Sequence, residues 1–163
     1  MIAQGRPQVL VVGIGNPDRG DDGLSAAVIA RLRGQAPDGV RLLARSADPL
    51  ALIDDWDGCG AVILVDAAMA TNEPGRVHRI DLAVDSLPLG WSQPSSHAFG
   101  LAETVELARN LGRLPGNLVL YLVESQSFET GAPLSPAAAD AVNQVAEGIL
   151  ADLTAFFAGA STA

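Results

Sequence analysis

Two aspartates and a histidine stand at junctions of this chain where their types could hold a metal: Asp22 in Arg19-Gly20-Asp21-Asp22-Gly23, Asp66 after Ala61-Val62-Ile63-Leu64-Val65, and His97 in Pro94-Ser95-Ser96-His97. Imidazole favours late first-row metals and two carboxylates add negative charge, so the set suits nickel, zinc or iron. It lacks the thiolates that grip a permanent structural zinc, and the metal it implies is labile. Each residue also has a structural reading. Asp21 or Asp22 suits a helix N-cap, where its charge complements the helix dipole. Asp66 suits a turn, and His97 suits an ordinary helix start capped by Ser96. His78, the other histidine, lies between Val77 and Arg79 in an alternating segment. It is expected to face solvent and is left out of the set.

Such residues need a rigid edge on which to meet. Apolar runs alternate with segments of helical period, the βα pattern of a mostly parallel sheet covered on both faces. The first run, Val9-Leu10-Val11-Val12, passes through Gly13-Ile14-Gly15-Asn16 into the acidic turn. Leu24, Val28 and Leu32 then fall four apart and mark a buried helix stripe, stopped by Gly34 and Pro37. Val40 to Ala44 is a short second strand. Asp48-Pro49 opens a helix reaching Trp56, with Asp48 as N-cap and the proline where its missing N–H costs nothing. The third strand, Ala61 to Val65, is expected to end on Asp66. Val77 to Leu82 alternates and reads as an edge strand. Leu101, Val105, Ala108 and Leu111 make another helix stripe, and Leu118 to Val123 is the last strand, leading to Glu124. Ser135-Pro136 caps a final helix with Val142, Val145, Ile149, Leu153 and Phe156 on one face.

In a doubly wound sheet, ligands bind beyond the carboxyl ends of the strands, where the turns holding Asp22, Asp66 and His97 converge. Gly13-Ile14-Gly15 invites a dinucleotide reading, which fails on spacing: the next glycine is Gly20, and Asp18, Asp21 and Asp22 put negative charge where a pyrophosphate would sit. The glycines instead allow a tight turn, and Asn16 fixes the loop that carries the acids.

The composition fits one soluble domain over residues 1–163. A formal charge of −9 argues against a nucleic-acid partner, which needs a basic stripe. No apolar run is long enough to span a bilayer. Met1 to Pro7 leads straight into the first strand without the apolar core of a signal peptide, so the cytoplasm is the expected compartment. The single Cys59 forms no internal disulfide and reads as a loop residue. A conventional peptidase centre is absent. Ser95, Ser96, Ser125 and Ser127 have no spare histidine for a triad, and no His-Glu-x-x-His pattern offers a catalytic zinc.

Taken together, Gly13-Ile14-Gly15-Asn16 with Arg19-Gly20-Asp21-Asp22-Gly23, Leu64-Val65-Asp66-Ala67, Ser96-His97 with Gly100-Leu101, and Gly131 with Leu134-Ser135 resemble the hydrogenase maturation proteases. The resemblance spans nearly the whole chain in order. It implies a three-layer α/β/α sandwich around a five-stranded sheet. It also implies an endopeptidase that removes a C-terminal extension from the nickel-loaded precursor of a nickel-iron hydrogenase large subunit. In that family the acidic residue after the glycine turn, the strand-ending Asp and the helix-opening His are proposed to recognise nickel, which here transfers to Asp22, Asp66 and His97. The nickel comes with the substrate and is not held tightly by the enzyme. The better-known branch has Glu in place of Asp22, and many members have Gly in place of Ser25.

Asp22 remains open between metal ligand, general base and helix cap, with Asp21 as a second candidate base. Two other functions compete. A peptidyl-tRNA hydrolase opens with a similar glycine-Asn-Pro turn, but it needs a basic surface and an early histidine, and the first His here is His78. A nickel-binding accessory protein without hydrolytic activity is the other. The Ala-rich last helix is read as a buried structural element of a monomer.

Overall fold

The apolar runs bury both faces of their strands, as a central parallel sheet requires. The computed structural model describes residues 8–46, 48–69, 73–85 and 98–160. Its strands are β1 (Val9–Ile14), β2 (Val40–Arg45), β3 (Ala61–Met69), β4 (Val77–Asp81) and β5 (Leu118–Ser125). Its α-helices are α1 (Leu24–Leu32), α2 (Pro49–Trp56), α3 (Ala98–Asn110) and α4 (Pro136–Ala160). The sheet order is β2-β1-β3-β5-β4, parallel throughout except for β4, which pairs antiparallel with β5 at the edge.

Strand alternation divides the core in two. Val9, Val11, Ile63, Val65, Tyr121 and Val123 pack under α1 and α4. Leu10, Val12, Leu64, Leu120 and Leu122 pack under α2 and α3. The expected stripes do this packing. Leu24, Val28 and Leu32 are fully buried on α1, as are Val145, Ile149 and Leu153 on α4. Each such side chain contributes about 1.5–3 kcal/mol by leaving water. Asp48 caps α2 as expected, accepting the N–H groups of Leu50 and Ala51, with Pro49 in the first turn. Ser135 Oγ likewise accepts the Ala138 N–H at 3.3 Å at the start of α4. On the α4 face, Asp152 accepts from Arg79 Nε and Nη2 at 3.0 Å each and from the Tyr121 hydroxyl, fastening the last helix to the β4–β5 edge.

Three expectations need correction. β3 does not end at Asp66: its pairing with β5 runs unbroken from Val62↔Leu118 to Met69↔Ser125, so Asp66 and Glu124 are inside strands. Backbone pairing there continues past the first charge because the neighbouring strand supplies partners for three more residues. Leu111 is not part of the α3 stripe; it follows the end of the helix and is exposed. His78 is not a solvated edge residue. Its side chain is only 25% exposed and its Nε2 lies 3.6 Å from Glu124 Oε2.

Candidate active site

Strand order reverses between β1 and β3, because the chain leaves β1 for β2 on one side while β3 borders β5 on the other. In open α/β sheets the crevice at such a switch point is where ligands bind. The register pairs Gly13 with Val65, so the turn after β1 lies beside Asp66.

Glycine is needed in this turn for close approach. A Cβ on Gly13 would lie 2.6 Å from the Ser25 carbonyl oxygen, so its absence lets α1 press onto β1. A Cβ on Gly15, where φ is +154°, would lie 2.8 Å from Asp22 Oδ1. Asn16 plays its expected part: its Oδ1 accepts the Asp18 N–H at 2.9 Å, and its own N–H donates to Asp22 Oδ2 at 2.8 Å.

Adjacent acids in the Gly20–Gly23 3-10 turn take different roles. Asp21 is fully buried and accepts four hydrogen bonds, from the N–H groups of Gln126, Ser127 and Ser135 and from Ser135 Oγ. Its carboxylate clamps the β5–α4 connection. Asp22 is also buried, and it faces the Gly15-Asn16 backbone instead. Neither acid caps α1, whose N-cap is Gly23 with no side-chain bond. Ser25, buried at the start of α1, donates from Oγ to the Val65 carbonyl at 3.1 Å and so ties the element after Asp22 to the residue before Asp66.

Asp66 is fully buried. Alternation between Leu64 and Ala68 turns it toward the α2–α3 face. Its Oδ1 accepts the Ala67 N–H at 2.8 Å, and its Oδ2 has no hydrogen bond from any described residue. Burial raises its pKa well above the usual carboxylate range; the Ala67 N–H opposes this and the charge of Asp22 adds to it. Both acids are buried, and a nearby cation would offset the cost of keeping Asp66 charged.

His97 lies outside the described residues, as does the Pro94–Ser96 segment before it. It immediately precedes α3, whose first turn, at Gly100 and Leu101, lines one pocket with Ile14 of β1 and with Ser46 and Asp48 after β2. The entry to α3 therefore lies at the carboxyl edge of the sheet, on the face toward which Asp66 points. Among the described residues no group of three or more His, Cys, Asp or Glu is arranged to hold a metal. Glu124 completes the buried acids at this edge: it is 5% exposed and faces His78. The sequence signal for it was the same as for Asp66, a carboxylate at the end of an apolar run.

Residues 26–152, which include Asp66 and His97, match the family model described as HycI, hydrogenase maturation protease. The chain belongs to the hydrogenase maturation protease family. It is a hydrogenase maturation endopeptidase, and the peptidyl-tRNA hydrolase and non-hydrolytic readings are set aside. It is 31% identical over 140 residues to the hydrogenase expression/formation protein HupD of Bradyrhizobium diazoefficiens, covering 83% of this chain and 72% of that one. Among solved structures, the hydrogenase 2 maturation peptidase of a Thaumarchaeota archaeon has a TM-score of 0.67 at 27% identity, covering 90% of this chain and 97% of the other. The hydrogenase maturating endopeptidase HybD from E. coli shares the fold, with a TM-score of 0.74 at 24% identity over 90% and 92% of the two chains. The maturation protease described here has, among its described residues, no helix long and apolar enough to cross a membrane.

Proposed function

We propose that this endopeptidase removes the C-terminal extension of a nickel-iron hydrogenase large-subunit precursor after nickel insertion, and that it recognises the nickel carried by that substrate through Asp22, Asp66 and His97. The observation that carries the reading is the Asp22–Asp66 pair: two buried carboxylates in electrostatic contact at the switch point, with Asp66 Oδ2 lacking a hydrogen bond from any described residue. A divalent cation brought by the precursor compensates the charge of these two acids. Docking of the metal seats the segment next to it across the carboxyl edge of the sheet, with the scissile bond in the crevice. The nickel is part of the substrate, and the enzyme acts as a cytoplasmic monomer.

The test is processing of purified precursor in its nickel-loaded and nickel-free forms, followed by mass. Cleavage of the loaded form alone is expected, and His97→Ala is expected to abolish it with the fold intact. Equal cleavage of both forms, or normal cleavage by His97→Ala, overturns the docking mechanism.

A further inference from the structure

Four carboxylates are buried among the described residues: Asp21, Asp22, Asp66 and Glu124. Burying an acid is costly without a partner or a task. Asp21 has its hydrogen bonds, and Asp22 and Asp66 face the proposed metal crevice. Glu124 has no assignment. Its side chain is 7% exposed, and its Oε2 accepts no hydrogen bond from a described residue.

Its place in the sheet gives it one. Asp66 pairs with Leu122, and Glu124 follows Leu122 by two residues on the same face of β5. Strand spacing and rise put its Cα about 8 Å from that of Asp66, toward the carboxyl edge. On the other side of β5, His78 pairs with Leu122 on the same face as the buried Ile80 and Leu82, which brings its Nε2 to 3.6 Å from Glu124 Oε2. A carboxylate with an imidazole nitrogen 3.6 Å away thus stands on the strand beside that of Asp66, on the same face of the sheet.

We infer that Glu124 is the general base of the hydrolysis and His78 its positioning residue. The Glu124 carboxylate takes a proton from water as the water oxygen bonds to the scissile carbonyl carbon. It then passes that proton to the amide nitrogen as the C–N bond breaks, which leaves a new carboxyl terminus, a free amine and the original carboxylate. Carboxylates in this role contribute about 10²–10⁴-fold in rate.

The inference rests on the docking reading above, and its test separates the two. Wild type, Glu124→Gln, His78→Gln and His97→Ala are compared on nickel-loaded precursor for kcat, KM and Tm. Glu124→Gln is expected to lower kcat by about a hundredfold or more with KM and Tm near wild type. His78→Gln is expected to lower kcat by about tenfold, again without a change in KM. A pair that only pins β4 to β5 would lower Tm and leave the kcat of folded enzyme unchanged, and that result overturns the inference. So does a Glu124→Gln enzyme with wild-type kcat, or one whose loss lies in KM. Should Glu124→Gln not fold, Glu124→Asp retracts the carboxylate by one methylene; a fall in kcat supports the base, and a wild-type kcat overturns it. If His97→Ala cleaves normally while Glu124→Gln does not, the docking reading fails and the base stands.

Discussion

Asp21 Oδ1 accepts the Ser135 N–H at 2.7 Å and its Oδ2 accepts the Ser135 hydroxyl at 2.9 Å, so an acid following the first strand holds the entry to the last helix. Ser135 in turn caps α4, and the clamp therefore joins the beginning and the end of the fold around the crevice. Asp22, its neighbour in sequence, contributes one oxygen to Asn16 and is otherwise turned toward Gly15.

The two acids should consequently fail in different ways. Asp21→Ala strips the partners from three N–H groups and a hydroxyl and is expected to cost on the order of 3 kcal/mol. Asp22→Asn keeps the shape and an acceptor for Asn16, and is expected to cost under about 1 kcal/mol while abolishing precursor processing. Urea denaturation midpoints alongside processing rates check the contrast. Equal stability losses would contradict it.

The buried Asp66 makes stability depend on pH. Its folded pKa is raised by burial and by Asp22. Its contribution is therefore fully present below the unfolded carboxylate value, about pH 4, and is lost as pH rises through the folded value. Asp66→Asn does not ionise. In nickel-free protein it is expected to flatten this dependence and to raise Tm at the alkaline end, while removing activity. Calorimetric Tm values measured across the range would count against this account if the two proteins fell in parallel.

The sequence carried most of the scaffold because the scaffold is made of local signals. The stripes on α1 and α4, the Asp48-Pro49 start of α2 and the alternating edge strand need only nearest-neighbour reasoning, and all are present. Asp22 was legible as an acid in the turn after the first strand, whereas Asp66, read as a strand-ending acid, lies inside β3; both are buried. What was not legible is set by distant partners. The clamp role of Asp21 depends on residues more than a hundred positions away. β3 continues through Asp66 because β5 pairs with it there, which no local pattern encodes. His78 alternates like a solvent-facing residue, yet the antiparallel register sets it against Glu124.

The Asp152 cluster provides a control far from the crevice. Arg79 and Tyr121 both donate to Asp152, and these bonds attach α4 to the β4–β5 edge on the face opposite Asp66. Tyr121→Phe is expected to cost about 1–2 kcal/mol, the value of a hydrogen bond to a charged acceptor moderated by partial exposure. Processing per folded molecule should be unchanged. A specific loss of activity in this variant would mean that α4 communicates with the site.

Gly13 and Ser25 make a third contact whose removal can be read. Gly13→Ala places a methyl 2.6 Å from the Ser25 carbonyl oxygen, against helix backbone that has no flexible end to move. The helix must shift, and overpacking of this kind costs about 1–3 kcal/mol. Because Ser25 Oγ also holds the Val65 carbonyl, the shift alters the spacing of Asp22 and Asp66. Gly13→Ala is therefore expected to depress processing more than a core truncation of equal cost on α4, such as Val145→Ala. Comparing the two at matched fraction folded tests this, and equal activity would show that the spacing has slack.

The shorter acid at position 22 has a reason in the backbone around it. Asp22 is 1% exposed, its Oδ2 is 2.8 Å from the Asn16 nitrogen, and its Oδ1 occupies the space that a side chain on Gly15 would need. A Glu here would carry one more methylene, which in this turn has nowhere to go without breaking the Asn16 bond or displacing Gly15. Asp22→Glu should cost about 1–3 kcal/mol. It should also lower kcat/KM for nickel-loaded precursor, since the carboxylate is pushed past its place beside Asp66. Thermal melts with steady-state processing read both effects. A variant as stable and as active as wild type would mean that the turn relaxes to admit the longer side chain.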